Sequence, residues 1–142
     1  MKLPHWLYIL RVAIAAILIQ SLYFKFTAHP EAVHIFSTLG VEPWGRVLLG
    51  IIELITGLLV LVPQTVLKGL FLSIGLMIGA VLTHLFTDVG IVVKWNDQSD
   101  HGELFIMAII ALVLSKLTFY IISQKLHVSC WVLLKEVITL KR

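Results

Sequence analysis

A few polar side chains lie inside the long apolar stretches of this sequence, where each of them needs a partner or a function. They are Arg11, Gln20, Lys25, Arg46, Glu53 and His84. Glu53 is the most demanding, because it stands midway along an apolar run and a carboxylate inside a membrane must face protein or water. It either locks neighbouring helices together by hydrogen bonding, or it accepts a proton or orients a ligand. The sequence leaves both interpretations open.

The other polar residues are candidates to pair with Glu53 or to bind a ligand themselves. Lys25 or Arg46 is its expected charged partner. A relay through Gln20, His84 or water is the alternative, because a lysine stem spans only part of the depth at which the carboxylate lies. A histidine in such a run is either a hydrogen-bonded core residue or a ligand, and the sequence does not decide between them for His84.

The composition places these residues in a bilayer. Apolar residues make up 59% of the 142 positions and charged residues only 13%, against roughly 25% in an ordinary soluble domain. This leaves too little polar surface for a water-soluble globule, whereas a bilayer span takes ~20 mostly apolar residues. The hydropathy pattern predicts an all-α bundle of four transmembrane helices, with spans at residues 6–26, 44–62, 67–87 and 104–122.

Residues 1–124 are expected to form the transmembrane domain and residues 125–142 a cytoplasmic amphipathic tail. The tail has an apolar arc and a basic arc, a pattern typical of a helix lying on an anionic membrane surface; a short partner-binding helix is the alternative. Of the 11 Lys and Arg residues, only Lys25, Arg46 and Lys94 fall on the side opposite to the termini. The positive-inside rule therefore predicts that both termini are cytoplasmic. The membrane is expected to be a bacterial inner membrane.

Glycines mark the expected contacts between helices. Gly50 and Gly57 share a helical stripe with Glu53, and Gly75 and Gly79 form a G-x-x-x-G pair on the third span. Small residues let helix backbones approach closely. We therefore expect these glycines to lie at seams between helices of the bundle.

The sequence excludes several kinds of chemistry. Its single cysteine, Cys130, cannot form an internal disulfide, a CxxC redox pair or an iron–sulfur site. The basic residues stand singly between apolar runs, so nucleic acid is not an expected partner. The acidic and histidine residues between the spans lack the spacing of a known metal site, so we expect a solvated acidic loop and no metal. They are His29, Glu31, His34, Asp97, Asp100, His101 and Glu103.

Several segments resemble the DoxX-like family of small four-helix membrane proteins. They are LRVAIAAILIQSLYFKF at residues 10–26, GIIELITGLLVLVP at 50–63, GLMIGAVLTHLF at 75–86 and GIVVKWNDQSDHGELFIMAIIALVL at 90–114. The shared features are a glutamate between glycines in mid-helix, a histidine that ends the third span, and a glycine-acid loop before the last span. The resemblance covers residues 10–122. At 101–103 the chain has His-Gly-Glu where many members have a run of glycines.

The resemblance implies a membrane subunit associated with quinone redox chemistry. The candidate functional positions that it implies here are Arg11, Lys25, Glu53 and His84. In a first hypothesis the bundle is the membrane arm of a redox system, holds a quinone between Gln20, Glu53 and His84, and depends on a partner that carries the redox cofactor. In a second it is a non-enzymatic scaffold or assembly module, which binds a protein partner or a second copy through its small-residue seams and basic tail.

Overall fold

The computed structural model describes residues 5–126, which form long helices and a small hairpin. The helices are α1 (His5–Phe26), α2 (Pro30–Thr38), α3 (Trp44–Leu61), α4 (Val66–Phe86) and α5 (Glu103–Leu126). The hairpin pairs β1 (Lys94–Trp95) with β2 (Gln98–Ser99) in antiparallel register. The prediction of an all-α fold built on four long apolar helices is confirmed. The predicted amphipathic tail lies outside the described residues from 127 onward.

Four of the helices are long and apolar enough to cross a membrane. These stretches are His5–Phe26, Trp44–Leu61, Val66–Phe86 and Glu103–Gln124. Their outer faces expose large apolar side chains, such as Ile9, Leu58 and Val113. A soluble protein of this size hides most of such a surface, whereas a bilayer covers it with hydrocarbon. These are the features of an integral membrane protein.

The helices pack in a ring around an apolar core. α1 lies along α3 and α4 lies along α5, while α3–α4 and α1–α5 contacts close the bundle. Only residues 62–65 separate α3 from α4, so these two helices are antiparallel neighbours. The core is filled by apolar side chains that include Leu7, Ile14, Leu18, Val60, Leu70 and Ile122.

The two ends of the bundle differ. One end, which we call the turn end, contains the connection at 62–65 and the start of α1. The cap end carries α2 and the β1–β2 hairpin, which together we call the cap. The His29 ring, just before α2, lies 6.4 Å from the Trp95 ring of β1. Both cap elements were predicted to be loops, although Pro30 stands at the first position of α2, where proline is favoured. In the hairpin turn Asn96 and Asp97 adopt positive φ angles, which Asn and Asp tolerate better than most residues.

Two glycines of α3, Gly50 and Gly57, face α1. A Cβ atom at Gly50 would come within 3.0 Å of the Phe26 ring, and one at Gly57 within 3.3 Å of Ile19. Both positions are buried. The absence of a side chain at these points allows α1 to lie close against α3.

The glycines of α4 require a correction. The close approach to α3 occurs at Gly69, where a Cβ atom would lie 2.5 Å from the backbone nitrogen of Val60. At Gly75 and Gly79 a Cβ atom would meet no heavy atom of the described chain within 4 Å. The predicted seam through this G-x-x-x-G pair is therefore not formed with another described helix. The pair faces outward because Ser73 and Met77 take the buried side of this part of α4.

Candidate functional site

The central feature of the cap end is an ion pair between α1 and α3. Nζ of Lys25 lies 2.8 Å from Oε2 of Glu53. The Ser21 hydroxyl, one turn earlier on α1, donates a 2.6 Å hydrogen bond to the same oxygen. Glu53 is buried and the Lys25 side chain is 13% exposed, so the carboxylate is shielded from solvent and the lysine is largely so. Of the two cations that the sequence offers to Glu53, Lys25 is the direct partner.

Glycine makes this pairing possible. Gly50 precedes Glu53 by one turn of α3, and a Cβ atom there would lie 3.6 Å from Cβ of Lys25. The two backbones are therefore close at the level of the ion pair. The Lys25 side chain is too short to cover the distance to the carboxylate if that distance is measured along the helix axis. It reaches Glu53 across the narrow gap between α1 and α3 instead.

Arg46 binds a different carboxylate. Its Nε and Nη2 donate to Glu42 at 2.9 and 2.7 Å, a forked pair at the start of α3. Its Nη1 donates to the backbone carbonyl of Lys25. That carbonyl is one of the last in α1 and has no partner within its own helix. Arg46 thus ties the start of α3 to the end of α1.

Arg11 forms the corresponding contact at the turn end. It is 2% exposed, and its Nε donates a 2.8 Å hydrogen bond to the carbonyl of Val60. Its Nη2 donates to the carbonyl of Leu61, the last residue of α3. The guanidinium also lies 5.7 Å from the centre of the Tyr8 ring. These contacts give Arg11 a role in joining α1 to the end of α3.

Within the described residues, the contacts of His84 and Gln20 do not include the ion pair. Nδ1 of His84 donates a 2.6 Å hydrogen bond to the carbonyl of Gly90, since a carbonyl can only accept. The ring meets Phe105 edge-on, with centroids 5.8 Å apart, so it faces α5. Gln20 is exposed on the surface of α1. The three residues expected to surround a quinone, Gln20, Glu53 and His84, therefore face different surroundings: the surface, α1 and α5.

A cleft opens beside the ion pair, between the end of α1, α2 and the start of α5. It has a volume of about 60 Å³ and mostly apolar walls. Lys25 and Glu31 bring opposite charges to it. This volume takes a few non-hydrogen atoms and is far below the roughly 300–1,000 Å³ of a drug-sized site. The lining residues are Ser21, Phe24, Lys25, Glu31, Ala32, Ile35, Phe36 and Leu104.

Glu31, which the sequence pattern predicted to lie in a solvated loop, is a residue of this site. It is 8% exposed, and within the described chain its carboxylate accepts no hydrogen bond; Nδ1 of His29 approaches to 4.0 Å. Burial raises the pKa of the Glu31 carboxyl, and the nearby charge of Asp100 raises it further. The signal that could have revealed this position is the pattern of α2, in which Ala32 and Phe36 form a buried stripe beside it.

A known protein family matches the part of the chain that contains this site. The model of the DoxX-like family matches residues 9–96, more than half of the chain. The chain belongs to the DoxX-like family. The match runs from α1 to the hairpin and includes Lys25, Glu31, Glu53 and His84. No curated protein and no solved structure matches the chain.

In this DoxX-like protein an aspartate of the cap end holds the cap to α5. Oδ1 of Asp100 accepts hydrogen bonds from the backbone N–H of Val93 at 2.8 Å and of Gly102 at 2.9 Å. Its Oδ2 accepts from Leu104 at 3.2 Å. A carboxylate in this position satisfies free N–H groups at the start of a helix. Between residues 5 and 126, no three His, Cys, Asp or Glu side chains are grouped so that they could hold a metal ion.

Proposed function

We propose that this DoxX-like protein is an accessory membrane subunit of a quinone-linked redox system in a bacterial inner membrane, with both termini in the cytoplasm. The observation that carries the proposal is the buried Lys25–Glu53 ion pair. Ionisable groups inside membrane spans are costly, and they typically mark proton relays or ligand sites. Systems that exchange electrons with quinones also exchange protons, and this pair can hold a proton.

The chemistry available to the pair is proton exchange. Because Nζ and Oε2 are 2.8 Å apart, a proton can pass from Lys25 to Glu53, and the transfer leaves two neutral groups. Ser21 donates to the same oxygen and holds the carboxylate in place in either state. A partner protein supplies the redox cofactor in this proposal, because a chain with one cysteine offers no cluster site of its own.

The quinone is assigned to the partner or to its interface with this chain. Gln20, Glu53 and His84 do not fit around a quinone ring, since Gln20 is exposed and the other two have partners on different helices. The cleft beside Lys25, at about 60 Å³, is also too small for the ring. No step that involves the quinone is therefore assigned to residues of this chain.

Gentle purification of the tagged full chain from its own membranes tests the proposal. We expect a second subunit with flavin, haem or iron–sulfur absorbance to co-purify, and the complex to reduce or oxidise a short-chain quinone. Glu53→Gln preserves the shape and the hydrogen bonds of the side chain, so the complex should assemble but lose most of its turnover and change its pH profile.

A matched control is Glu42→Gln, which removes a carboxylate from the Arg46 pair without touching Lys25 or Glu53. This variant should keep the turnover and pH profile of the parent once folding is verified. Co-purification of subunits that lack any redox absorbance would overturn the redox assignment. Full turnover with Glu53→Gln would overturn the role of the ion pair.

A second candidate function is a non-enzymatic scaffold or assembly module that binds a protein partner or a second copy. The observation that favours it is the outward strip at Gly75 and Gly79, which no described helix covers. Exposed apolar residues, Ile78 and Leu82 among them, flank this strip. Such a surface permits close backbone approach by a helix from another chain.

A larger side chain on this strip tests the scaffold function. Gly79→Leu should dissociate the complex while the isolated chain keeps its melting temperature, as measured by native electrophoresis and thermal unfolding in detergent. Ala16→Leu adds similar bulk at an exposed position of α1 and serves as the control. A complex that stays intact with Gly79→Leu would exclude this surface.

A further inference from the structure

The cleft at the cap end contains a buried carboxylate, that of Glu31, whose contact with Nδ1 of His29 is 4.0 Å long and so beyond hydrogen-bond distance. Glu31 is buried, lines the cleft, and accepts no hydrogen bond from any residue between 5 and 126. Asp100 differs, because three backbone N–H groups bind its carboxylate. A buried carboxylate without hydrogen bonds is unfavourable unless a ligand or water compensates it. The cleft that it faces is the space in which such a ligand would lie.

We propose that this cleft binds the headgroup of a phospholipid that carries a primary ammonium and a phosphate. Lys25 and Glu31 present opposite charges on one half-enclosed, apolar-walled space. A zwitterionic headgroup offers the complementary pair of charges on one molecule. The proposal shares Lys25 with the proposed proton exchange but does not require that exchange, and its test rests on Glu31, which has no part in it.

Glu31 recognises the ammonium group. An ammonium N–H donates to a carboxylate in a short, charge-assisted hydrogen bond. The rings of Phe24 and Phe36 form part of the walls, and aromatic faces also attract cations. A volume of about 60 Å³ suits an ammonium nitrogen with its adjoining carbons, so the phosphate and the acyl chains lie outside the cleft.

Lys25 recognises the phosphate. Its ammonium has three donors, and Glu53 accepts from one of them at 2.8 Å. The Lys25 side chain is 13% exposed and lines the cleft, so its other N–H groups can donate to a phosphate at the mouth of the cleft. The ion pair with Glu53 thus holds the lysine in position for a second anion.

The membrane is the source of this ligand because of where the cleft lies along α1. Tyr23, Phe24 and Phe26 are exposed aromatic residues at the cap end of this helix. Aromatic side chains of membrane proteins concentrate at the level of the lipid headgroups. Phe24 is also a wall of the cleft, so the cleft opens at the depth at which headgroups are found.

Native mass spectrometry of the full chain in detergent tests the site with three lipids. We expect phosphatidylethanolamine to bind more tightly than phosphatidylcholine, whose trimethylammonium cannot donate a hydrogen bond and is larger. It should also bind more tightly than phosphatidylglycerol, which leaves Glu31 without a partner. Glu31→Gln should weaken phosphatidylethanolamine binding by roughly tenfold or more, since it removes a charged hydrogen bond.

The controls separate the cleft from general electrostatics. Asp97→Asn removes an exposed acidic charge from the hairpin and should leave the preference unchanged. Ala32→Ile fills the cleft and keeps its charges, so it should also abolish the preference, and it decides the matter if Glu31→Gln fails to fold. An unchanged preference with either cleft variant, or a preference for phosphatidylglycerol, would overturn the proposal. Equal binding of soluble glycerophosphoethanolamine would assign the site to a free headgroup and overturn the lipid assignment.

Discussion

Arg11 and Arg46 stand at opposite ends of the α1–α3 pair, and each binds the last carbonyls of the other's helix. Arg11, near the start of α1, donates to the end of α3, and Arg46, near the start of α3, donates to the end of α1. Helix ends leave carbonyls without partners, and a cation at a helix C-terminus is favourable. The two arginines therefore hold the antiparallel helices in register from both ends.

Removal of one of these contacts should loosen the bundle. Arg11→Met keeps an apolar stem but removes the donors to the buried carbonyl of Val60 and the part-buried carbonyl of Leu61, so we expect a loss of about 1–3 kcal/mol in unfolding free energy. Denaturant unfolding in detergent measures it. Lys116→Met removes an exposed cation from α5 and should change stability by less than about 0.5 kcal/mol. Equal effects of the two substitutions would contradict a specific role for Arg11.

The Lys25–Glu53 pair should show strong coupling between its two members. Lys25→Met or Glu53→Leu alone leaves one buried charge without a partner, and each should cost about 3–5 kcal/mol in unfolding free energy. The double substitution removes both charges, so it should be more stable than either single variant. A double-mutant cycle of melting curves measures this coupling. Additive losses would mean that solvent already compensates each charge.

Gly69 and Gly79 of α4 should respond in opposite ways to alanine. A Cβ atom at Gly69 would lie 2.5 Å from the Val60 backbone nitrogen, so Gly69→Ala should destabilise the bundle by about 1–3 kcal/mol. Gly79 has open space, so Gly79→Ala should be neutral or should gain up to about 1 kcal/mol from helix propensity. Thermal unfolding of the two variants compares them directly. A large loss at Gly79 would show that another copy covers that face.

The sequence predicts the helices well because each span is a long apolar run, and length alone specifies a crossing of the membrane. It also singles out Glu53, since a carboxylate in such a run stands out. It does not reveal which cation pairs with Glu53. The position of a residue along its own helix does not give its distance from a neighbouring helix, and Gly50 makes the distance between α1 and α3 unusually short. The G-x-x-x-G motif of α4 misleads for a related reason: the motif reports that close approach is possible, and Gly69 is where it occurs.

The cap was missed because its elements are short. α2 begins at Pro30 and its apolar stripe of Ala32 and Phe36 covers only two turns, too few for periodicity to stand out. From the sequence alone, Glu31 is therefore predicted to lie in a solvated acidic loop. Its burial depends on α2 folding back on α1 and on the hairpin lying beside it, and both are tertiary contacts.

The burial of Glu31 should make the stability of the protein depend on pH. Because its pKa is raised in the folded state, the native protein holds this proton more tightly than the unfolded chain does. The resulting stabilisation is present at acidic pH and is lost as pH rises through the raised pKa. Glu31→Gln removes this dependence. The variant should therefore melt at a higher temperature than the parent at about pH 8, and at a similar temperature near about pH 4.

The difference in melting temperature between the parent and Glu31→Gln reports the titration of Glu31 separately from that of its neighbours. His29, Asp100 and Glu103 are the titratable groups that influence its pKa, and they are present in both proteins. Lipid-free detergent is required, because an ammonium headgroup would stabilise the charged carboxylate and reduce the difference at high pH. Asp97→Asn, an exposed acid of the hairpin, should give the same pH profile as the parent. A melting difference for Glu31→Gln that stays constant across this pH range would show that the charged carboxylate is already compensated in the folded protein.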